Sequence, residues 1–144
     1  MIAHAQERDL SNVLFKPLQP TERVSELLAT ADVAVIPQKP GFKDIAFPSK
    51  LANILASARP VIAAAAPDSE LAAVVLESGA GLTVTPGNGA EMAAAIEALI
   101  ADPAALAERG ANGRAFVLRK LGKEALLSRF RDDLFALAGE TRRG

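Results

Sequence analysis

The sequence predicts an α/β fold, a parallel sheet of about four strands flanked by helices, with a helical tail at the C-terminus. Short apolar runs alternate with longer amphipathic segments over residues 12–89, as in successive βαβ units. The apolar runs are continuous, which is typical of strands that are covered on both faces. Beyond residue 89 the apolar residues recur only at helical spacing. The 144 residues therefore correspond to one domain whose sheet lies in its first part.

Four apolar runs account for the predicted strands. A proline follows the first run after one residue and the second run directly, and proline cannot donate a hydrogen bond within a sheet. The predicted strands are, in chain order, Asn12–Phe15, Asp32–Ile36, Val61–Ala64 and Leu82–Val84. Because four short strands make a small doubly wound sheet, we expect the chain to be the later part of a larger protein.

Helices are predicted where apolar residues recur at spacings of three and four. Thr21 is expected to cap one helix, and Asp102 another that has Pro103 as its first residue. Gly79 is expected to end the helix that starts at Pro67-Asp68. The predicted helices begin near the N-terminus and at about Thr21, Pro48, Pro67, Met92, Pro103 and Lys123.

Composition and charge exclude several classes of function. Sixteen basic and seventeen acidic residues give a net charge of −1, and only 4% of residues are aromatic, so nucleic-acid binding is not expected. Since there is no cysteine and one histidine, disulfide scaffolds, thiol catalysis and the usual zinc sites are excluded. No apolar run approaches the ~20 residues that span a bilayer, and no signal peptide is recognisable, which together predict a cytoplasmic protein.

The segment between Ile36 and the helix at Pro48 is the richest candidate for a binding site. Ligands of parallel sheets bind beyond the carboxyl ends of the strands, and this connection exceeds the usual length of ~2–6 residues. Lys50 lies in the first turn of the helix, where unpaired backbone N–H groups favour a phosphate or another anion. Asn53 lies three residues further on the same face and could bind a sugar hydroxyl. On residue types alone, it is equally acceptable that Lys50 and Asn53 are ordinary surface residues with no ligand.

Two other signals do not indicate catalysis. Gly79-Ala80-Gly81 lacks the third glycine of a dinucleotide-binding motif and precedes a strand instead of following one. His4 has no neighbour in the sequence that would make it a general base or a metal ligand, so we expect it at the surface.

One long stretch also carries a family resemblance. Phe47–Ala63, with its Pro-Ser-Lys motif at the start of a helix, resembles the donor-binding segment of retaining GT-B glycosyltransferases of family 4. Within this family, the stretch is similar to the subgroup of enzymes that build bacterial exopolysaccharides, including those of the colanic acid type. The similarity continues in order over nearly the whole chain, through Asp68–Leu71, Gly79–Gly81, Pro86–Asn88 and Gly113-Arg114.

The resemblance implies a Rossmann-like C-terminal domain over residues 1–144 that holds a UDP- or GDP-sugar donor. By position, Lys50 would bind the diphosphate and Asn53 the ribose, with Ser49 as part of the same motif. Lys16 and Leu18 would lie near the base. Asp44 and Phe47 would face the donor sugar. The resemblance further implies transfer to a glycan or lipid-linked acceptor, held by an N-terminal domain that this chain lacks, without a cofactor or an obligatory metal.

The last predicted helix, residues 123–138, would pack toward that N-terminal domain in the family. Its apolar face consists of Leu126, Leu127, Phe130, Leu134 and Leu137. In the isolated chain we expect this face to be exposed or covered by a second copy, with self-association or poor solubility as the result. The isolated chain is also expected to be inactive. The full-length protein would be cytoplasmic, with a peripheral place at the inner face of the membrane.

The sequence departs from the family at two acidic positions. Many members carry two glutamates with seven residues between them, and Ile45 and Asn53 stand at those positions in this chain. Asp44 could replace the first glutamate. A non-catalytic Rossmann-like binding or regulatory domain is the alternative. A receiver domain is the less favoured form of this alternative. Its chemistry requires a hydroxyl residue and a lysine at two positions, where this chain has Ala65 and Thr85.

Overall fold

The computed structural model describes residues 2–41, 49–120, 122–137 and 139 of the chain. A parallel three-stranded sheet forms the centre of this part, and helices precede, connect and follow the strands. The strands are β1 (Ala34–Pro37), β2 (Val61–Ala64) and β3 (Gly81–Val84). The helices are α1 (Ile2–Glu7), α2 (Val24–Ala29), α3 (Ser49–Ala56), α4 (Glu70–Ser78), α5 (Gly89–Ile100), α6 (Pro103–Lys120) and α7 (Lys123–Leu137). A 3-10 turn, Thr21–Arg23, leads directly into α2.

The sheet has β2 at its centre, with β1 and β3 as its neighbours, and both pairs are parallel. All four residues of β2 are buried, whereas β1 alternates between half-buried and exposed. The register pairs Ala34 with Val61 and Val61 with Gly81. The expected α/β class, with a parallel sheet, flanking helices and a helical tail, is confirmed.

The first predicted strand, Asn12–Phe15, does not form, so the described sheet has three strands and not the four that were expected. This segment makes only turn hydrogen bonds, such as that from the Val13 N–H to the Leu10 carbonyl. Leu14 and Phe15 are exposed. Apolar character alone does not make a strand, because each strand needs a neighbour for its backbone hydrogen bonds.

Helices cover both faces of the sheet. On one face, α3, α4 and the second half of α6 build a core with side chains from the strands; its largest fully buried members include Leu51, Leu55, Leu71 and Val75. On the other face, α5 and the start of α6 pack over Ile62, Ala64 and Val84. Because both strand pairs are parallel, the carboxyl ends of all three strands lie at the same edge of the sheet.

Helix boundaries follow the predicted signals in part. Asp102 Oδ1 accepts hydrogen bonds from the N–H groups of Ala104 and Ala105, at 3.1 and 3.0 Å, so it caps α6 as predicted. Gly79 ends α4 with φ +63°, also as predicted. These signals are local, and they operate without help from the rest of the fold.

Two other helix starts differ from the prediction. Thr21 belongs to the 3-10 turn and accepts no capping hydrogen bond, because the chain passes from that turn into α2 without an extended cap residue. Helix α4 begins at Glu70 and not at Pro67-Asp68. Its cap is Ser69, whose Oγ accepts the Ala72 N–H at 3.1 Å. The extended backbone of Ser69, with ψ 151°, places the boundary there.

The apolar face of α7 is exposed in this chain. Each of its five members, Leu126, Leu127, Phe130, Leu134 and Leu137, has at least 45% of its surface accessible. Covering of this face by a second copy stays a prediction. Among the described residues, no helix has the length and apolar character that a membrane crossing requires.

Candidate functional site

The carboxyl edge of the sheet is where the candidate site was predicted. Two hydrogen bonds extend the parallel pairing by one residue beyond the strands, from Gln38 N to Ala64 O at 3.0 Å and from Ala65 N to Val84 O at 3.1 Å. Beyond these bonds, the three connections lead to α3, α4 and α5. A ligand at this edge would therefore meet the N-terminal ends of three helices.

Lys50 is the second residue of α3, and it is exposed. Ser49 is the first residue of that helix. The first N–H groups of a helix have no partner within the helix, and they give this end a partial positive charge. A lysine at this position adds to that charge, so the end of α3 is suited to an anion such as a phosphate. The prediction places Asp44 and Phe47 just before this point, outside the described residues.

Asn53 lies one turn further along α3 and lines a cleft between α2, α3 and α6, with a volume of about 520 Å³. Arg114 from α6 also lines it, and its Nη1 donates to the Ala56 carbonyl at 3.0 Å. Thr21 and Ser25, each with a hydroxyl group, line the opposite wall of the cleft. We call this the α2–α3 cleft; it contains an amide, a guanidinium and hydroxyl groups that can bind a polar ligand.

Lys16 lies in a different place from Lys50 and Asn53. It lines a second cavity, of about 320 Å³, formed with Gln19 and residues of the Thr21–Arg23 turn and α2. Leu18 is 99% exposed and lines neither of these two cavities. The structure thus brings Ser49, Lys50 and Asn53 together on α3, and it does not join Lys16 and Leu18 to them.

A cluster after β3 was missed by the sequence reasoning. The Glu91 Oε2 accepts hydrogen bonds from the Thr85 backbone N–H at 2.9 Å and from Asn88 Nδ2 at 3.3 Å. In return, Asn88 Oδ1 accepts the Glu91 N–H at 3.1 Å. The Thr85 N–H stabilises the ionised carboxylate and so lowers the pKa of Glu91 below its ordinary value of 4.5. The spacing Asn-x-x-Glu before an apolar helix could have indicated this capping arrangement.

Carboxylates and the histidine are dispersed in the described part of the chain. No group of three or more histidine, cysteine, aspartate or glutamate side chains lies together there in a way that could hold a metal ion. His4 is exposed on α1, as expected.

The parallel three-stranded sheet with helices on both faces defines a Rossmann-like α/β domain. The sequence profile of the family described as "Glycosyl transferases group 1" matches residues 2–102. The chain therefore belongs to this family.

Two relatives extend the match to most of the chain. The protein named "Putative colanic acid biosynthesis glycosyl transferase WcaI", from Escherichia coli K12, is 33% identical over 131 residues, which are 90% of this chain and 31% of that protein. Sucrose-phosphate synthase from Thermosynechococcus elongatus has a similar structure, with a TM-score of 0.78 and 28% identity, over 94% of this chain and 34% of that one. The chain spans about a third of the length of these relatives. The family resemblance seen in the sequence is confirmed, while the individual site residues stay predictions.

Proposed function

We propose that this chain is the donor-binding portion of a retaining glycosyltransferase of the hexosyltransferase type. The full-length enzyme would transfer a sugar from a UDP- or GDP-sugar to a glycan or lipid-linked acceptor in bacterial polysaccharide biosynthesis. Family membership and the names of the two relatives support the transferase class. The relative of colanic acid biosynthesis supports the link to exopolysaccharides.

The observation that carries the proposal is the exposed Lys50 in the first turn of α3. A cation is disfavoured at the positive end of a helix by roughly 0.3–1 kcal/mol. Such a placement is compensated when an anion binds there, because the ammonium group and the helix N–H groups then act on the same charge. A nucleoside diphosphate supplies an anion of this kind at the carboxyl edge of the sheet.

The remaining residues are assigned by position. Asn53 would bind the ribose, next to Ser49 and Lys50 on the same helix, and Asp44 and Phe47 would face the sugar. Lys16 and Leu18 would approach the base. In the full-length protein, the acceptor would be held by a segment outside this chain, so the isolated chain would bind the donor without transferring sugar.

Charge stabilisation of the leaving diphosphate would come from Lys50 and the helix N–H groups, without an obligatory metal. Measured rates of the full-length enzyme with and without a chelator test this, and a strict Mg²⁺ or Mn²⁺ requirement would contradict it. We place the enzyme in the cytoplasm, at the inner face of the membrane for a lipid-linked acceptor.

Calorimetric titration with UDP, GDP and the corresponding nucleosides tests donor binding directly. The diphosphates should bind more tightly than the nucleosides. Lys50→Ala should weaken diphosphate binding about ten- to a hundredfold, since hydrogen bonds to charged groups contribute roughly 1.5–3 kcal/mol. The free energy of unfolding should stay the same or rise slightly, because a cation leaves the positive end of a helix.

Lys123→Ala is the matched control for this experiment. Lys123 is also an exposed lysine in the first turn of a helix, α7, but that helix follows α6 and not a strand. Its loss should leave diphosphate binding unchanged. Equal affinity of the wild type and the Lys50→Ala variant for UDP and GDP would exclude Lys50 from a phosphate site.

A further inference from the structure

The α2–α3 cleft contains a guanidinium group that no carboxylate neutralises. None of the described residues that line the cleft is acidic, and Arg114 is the charged residue among them. In the part of the chain that the structure describes, three ion pairs form, and Arg114 belongs to none of them. The cleft volume of about 520 Å³ lies within the range of ~300–1,000 Å³ that is usual for small-molecule sites. An anion in the cleft would therefore meet a positive charge and no acidic wall.

The fold holds this guanidinium group in position. Arg114 belongs to α6, and its Nη1 donates to the carbonyl oxygen of Ala56, the last residue of α3, at 3.0 Å. A guanidinium group has several N–H donors in one plane, and the described residues provide a partner for Nη1 only. The other donors remain available to a ligand. A planar fork of this kind can bind two oxygens of a phosphate or a carboxylate at the same time.

The rest of the lining suits a ligand with hydroxyl groups. The hydroxyl groups of Thr21 and Ser25 and the amide of Asn53 can each donate and accept hydrogen bonds. The Ser57 Oγ donates to the Asn53 backbone carbonyl at 2.9 Å, so this oxygen can still accept a hydrogen bond. The other lining residues are apolar: Val24, Leu28, Ala29 and Ala56. Such a mixture matches the hydroxyl groups and the C–H faces of a sugar ring.

We propose that the α2–α3 cleft is a second binding site, which takes a sugar that carries one anionic group, a phosphate or a carboxylate. Arg114 would bind the anionic group, and Thr21 and Ser25 would bind hydroxyl groups of the ring. The inference goes beyond the proposed function, because Lys50, where the diphosphate would bind, does not line this cleft.

An NMR titration that follows the amide signals of the chain tests the site. It is made without nucleotide, because Asn53 is also assigned to the ribose. Glucose-6-phosphate or glucuronate should shift the signals of Ser25, Asn53 and Ser57, whereas neutral glucose should not shift them at the same concentration. The anion that binds more tightly identifies the group that the site takes. Binding of neither anion, or equal binding of glucose, would overturn the proposal.

Substitutions at Arg114 test its role. Arg114→Ala should weaken binding of the anionic sugar about tenfold or more, because it removes hydrogen bonds between charged groups. Arg114→Lys keeps the charge without the planar fork and should retain more affinity than the alanine variant. Arg119→Ala is the matched control, since Arg119 is an exposed arginine of the same helix that does not line the cleft. It should bind like the wild type.

A further variant leaves the bond between Arg114 and Ala56 intact. Ser25→Asp places a carboxylate on the opposite wall of the cleft and should abolish binding of the anionic sugar through charge repulsion. Ser25 lies in the first turn of α2, where an acidic residue favours the helix, so the variant should remain folded. Wild-type affinity in this variant would exclude the cleft as the site.

The outcomes separate this site from the proposed donor site. Lys50→Ala should leave binding of the anionic sugar unchanged. Loss of that binding in Lys50→Ala but not in Arg114→Ala would place the anion at the start of α3 and overturn the inference. A lower melting temperature of Arg114→Ala with wild-type affinity would reduce Arg114 to a cap of α3 and overturn it as well. Failure of UDP and GDP to bind the wild type would contradict the proposed function alone.

Discussion

Ala58 adopts a backbone conformation that usually belongs to glycine, with φ +54°. It follows α3 in a two-bond termination, in which the Arg59 N–H donates to the Ile54 carbonyl at 3.3 Å and the Ala58 N–H to the Leu55 carbonyl at 3.0 Å. This is the hydrogen-bond pattern of a Schellman motif, and its left-handed position normally holds glycine. The turn leads directly into Pro60 and β2, which are buried.

Ala58→Gly should therefore stabilise the fold. Removing the methyl group relieves a left-handed penalty of roughly 1–2 kcal/mol, part of which is offset by the greater freedom of glycine in the unfolded chain. We expect the free energy of unfolding in urea to rise by about 1 kcal/mol. Ala56→Gly, at the last helical residue of α3, is the control and should lower it. A lower stability of the Ala58→Gly variant would show that its methyl group contributes packing that exceeds the strain.

Glu91 makes stability depend on pH at the acidic end. Its folded-state pKa is lowered by the Thr85 N–H, so its contribution is present above the ordinary value of 4.5 and is lost as the pH falls through the lower, folded-state pKa. Wild type should exceed Glu91→Gln in unfolding free energy at about pH 6, and the difference should shrink toward about pH 3. Urea denaturation across this range checks it, with Glu97→Gln as the control for charge loss. A difference that is constant over the range would mean that the carboxylate charge does not stabilise the turn.

At the scale of elements, α6 approaches α3 and β3 closely through two glycines. A Cβ atom at Gly110 would lie 2.3 Å from the Ala58 carbonyl oxygen, and one at Gly113 would lie 2.9 Å from both Ala80 Cβ and Leu55 Cδ2. The two glycines are three residues apart, so they lie on the same face of the helix. Glycine is otherwise unfavourable within a helix by about 1 kcal/mol, which indicates that close packing maintains it here.

Gly113→Ala should destabilise the protein although alanine is the better helix former. The added methyl group meets Leu55 and Ala80, which are both fully buried, so the core must shift at a cost of about 1–3 kcal/mol. Thermal unfolding followed by circular dichroism measures the effect. Gly89→Ala has open space around its Cβ and should match or exceed the wild type. Equal melting temperatures for Gly113→Ala and the wild type would mean that α6 can move away without loss.

At the scale of the whole molecule, the apolar face of α7 is exposed among the residues that the structure describes. Phe130 is 63% exposed and Leu137 is 86% exposed. Exposed patches of this kind mark sites of association. The relatives are about three times as long as this chain. In a protein of that length, another segment would be available to cover the apolar face of α7, whereas in the isolated chain a second copy would cover it.

We expect the isolated chain to self-associate through α7. Sedimentation velocity should show a concentration-dependent rise in mass for the wild type. A double change, Phe130→Glu with Leu134→Glu, should abolish it, because a second copy would have to bury unpaired charges. Leu76→Glu alters a leucine of similar exposure on α4 and should leave association unchanged. A wild type that stays monomeric at high concentration would contradict the prediction.

Local signals made much of the fold readable from the amino-acid sequence. Val61–Ala64 was predicted with its observed bounds, because a run of apolar residues between two turn signals has one good interpretation. The cap at Asp102 and the helix end at Gly79 were also predicted, since each depends only on residues within a few positions. The family pattern around Lys50 was equally local.

Only the tertiary structure decided which segments meet. Asn12–Phe15 has the composition of a strand but no hydrogen-bonding neighbour, so it forms none in the described part of the chain. A Cβ atom added at Gly87 would lie 3.2 Å from Pro40 Cγ, and one added at Gly113 would lie 2.9 Å from Leu55 Cδ2, across separations in sequence that no spacing rule covers. Local preferences such as caps and helix ends depend on the dihedral angles of a few neighbouring residues. A strand, a close approach of two helices or a cleft between them forms only when a segment that is distant in the sequence packs against the first one.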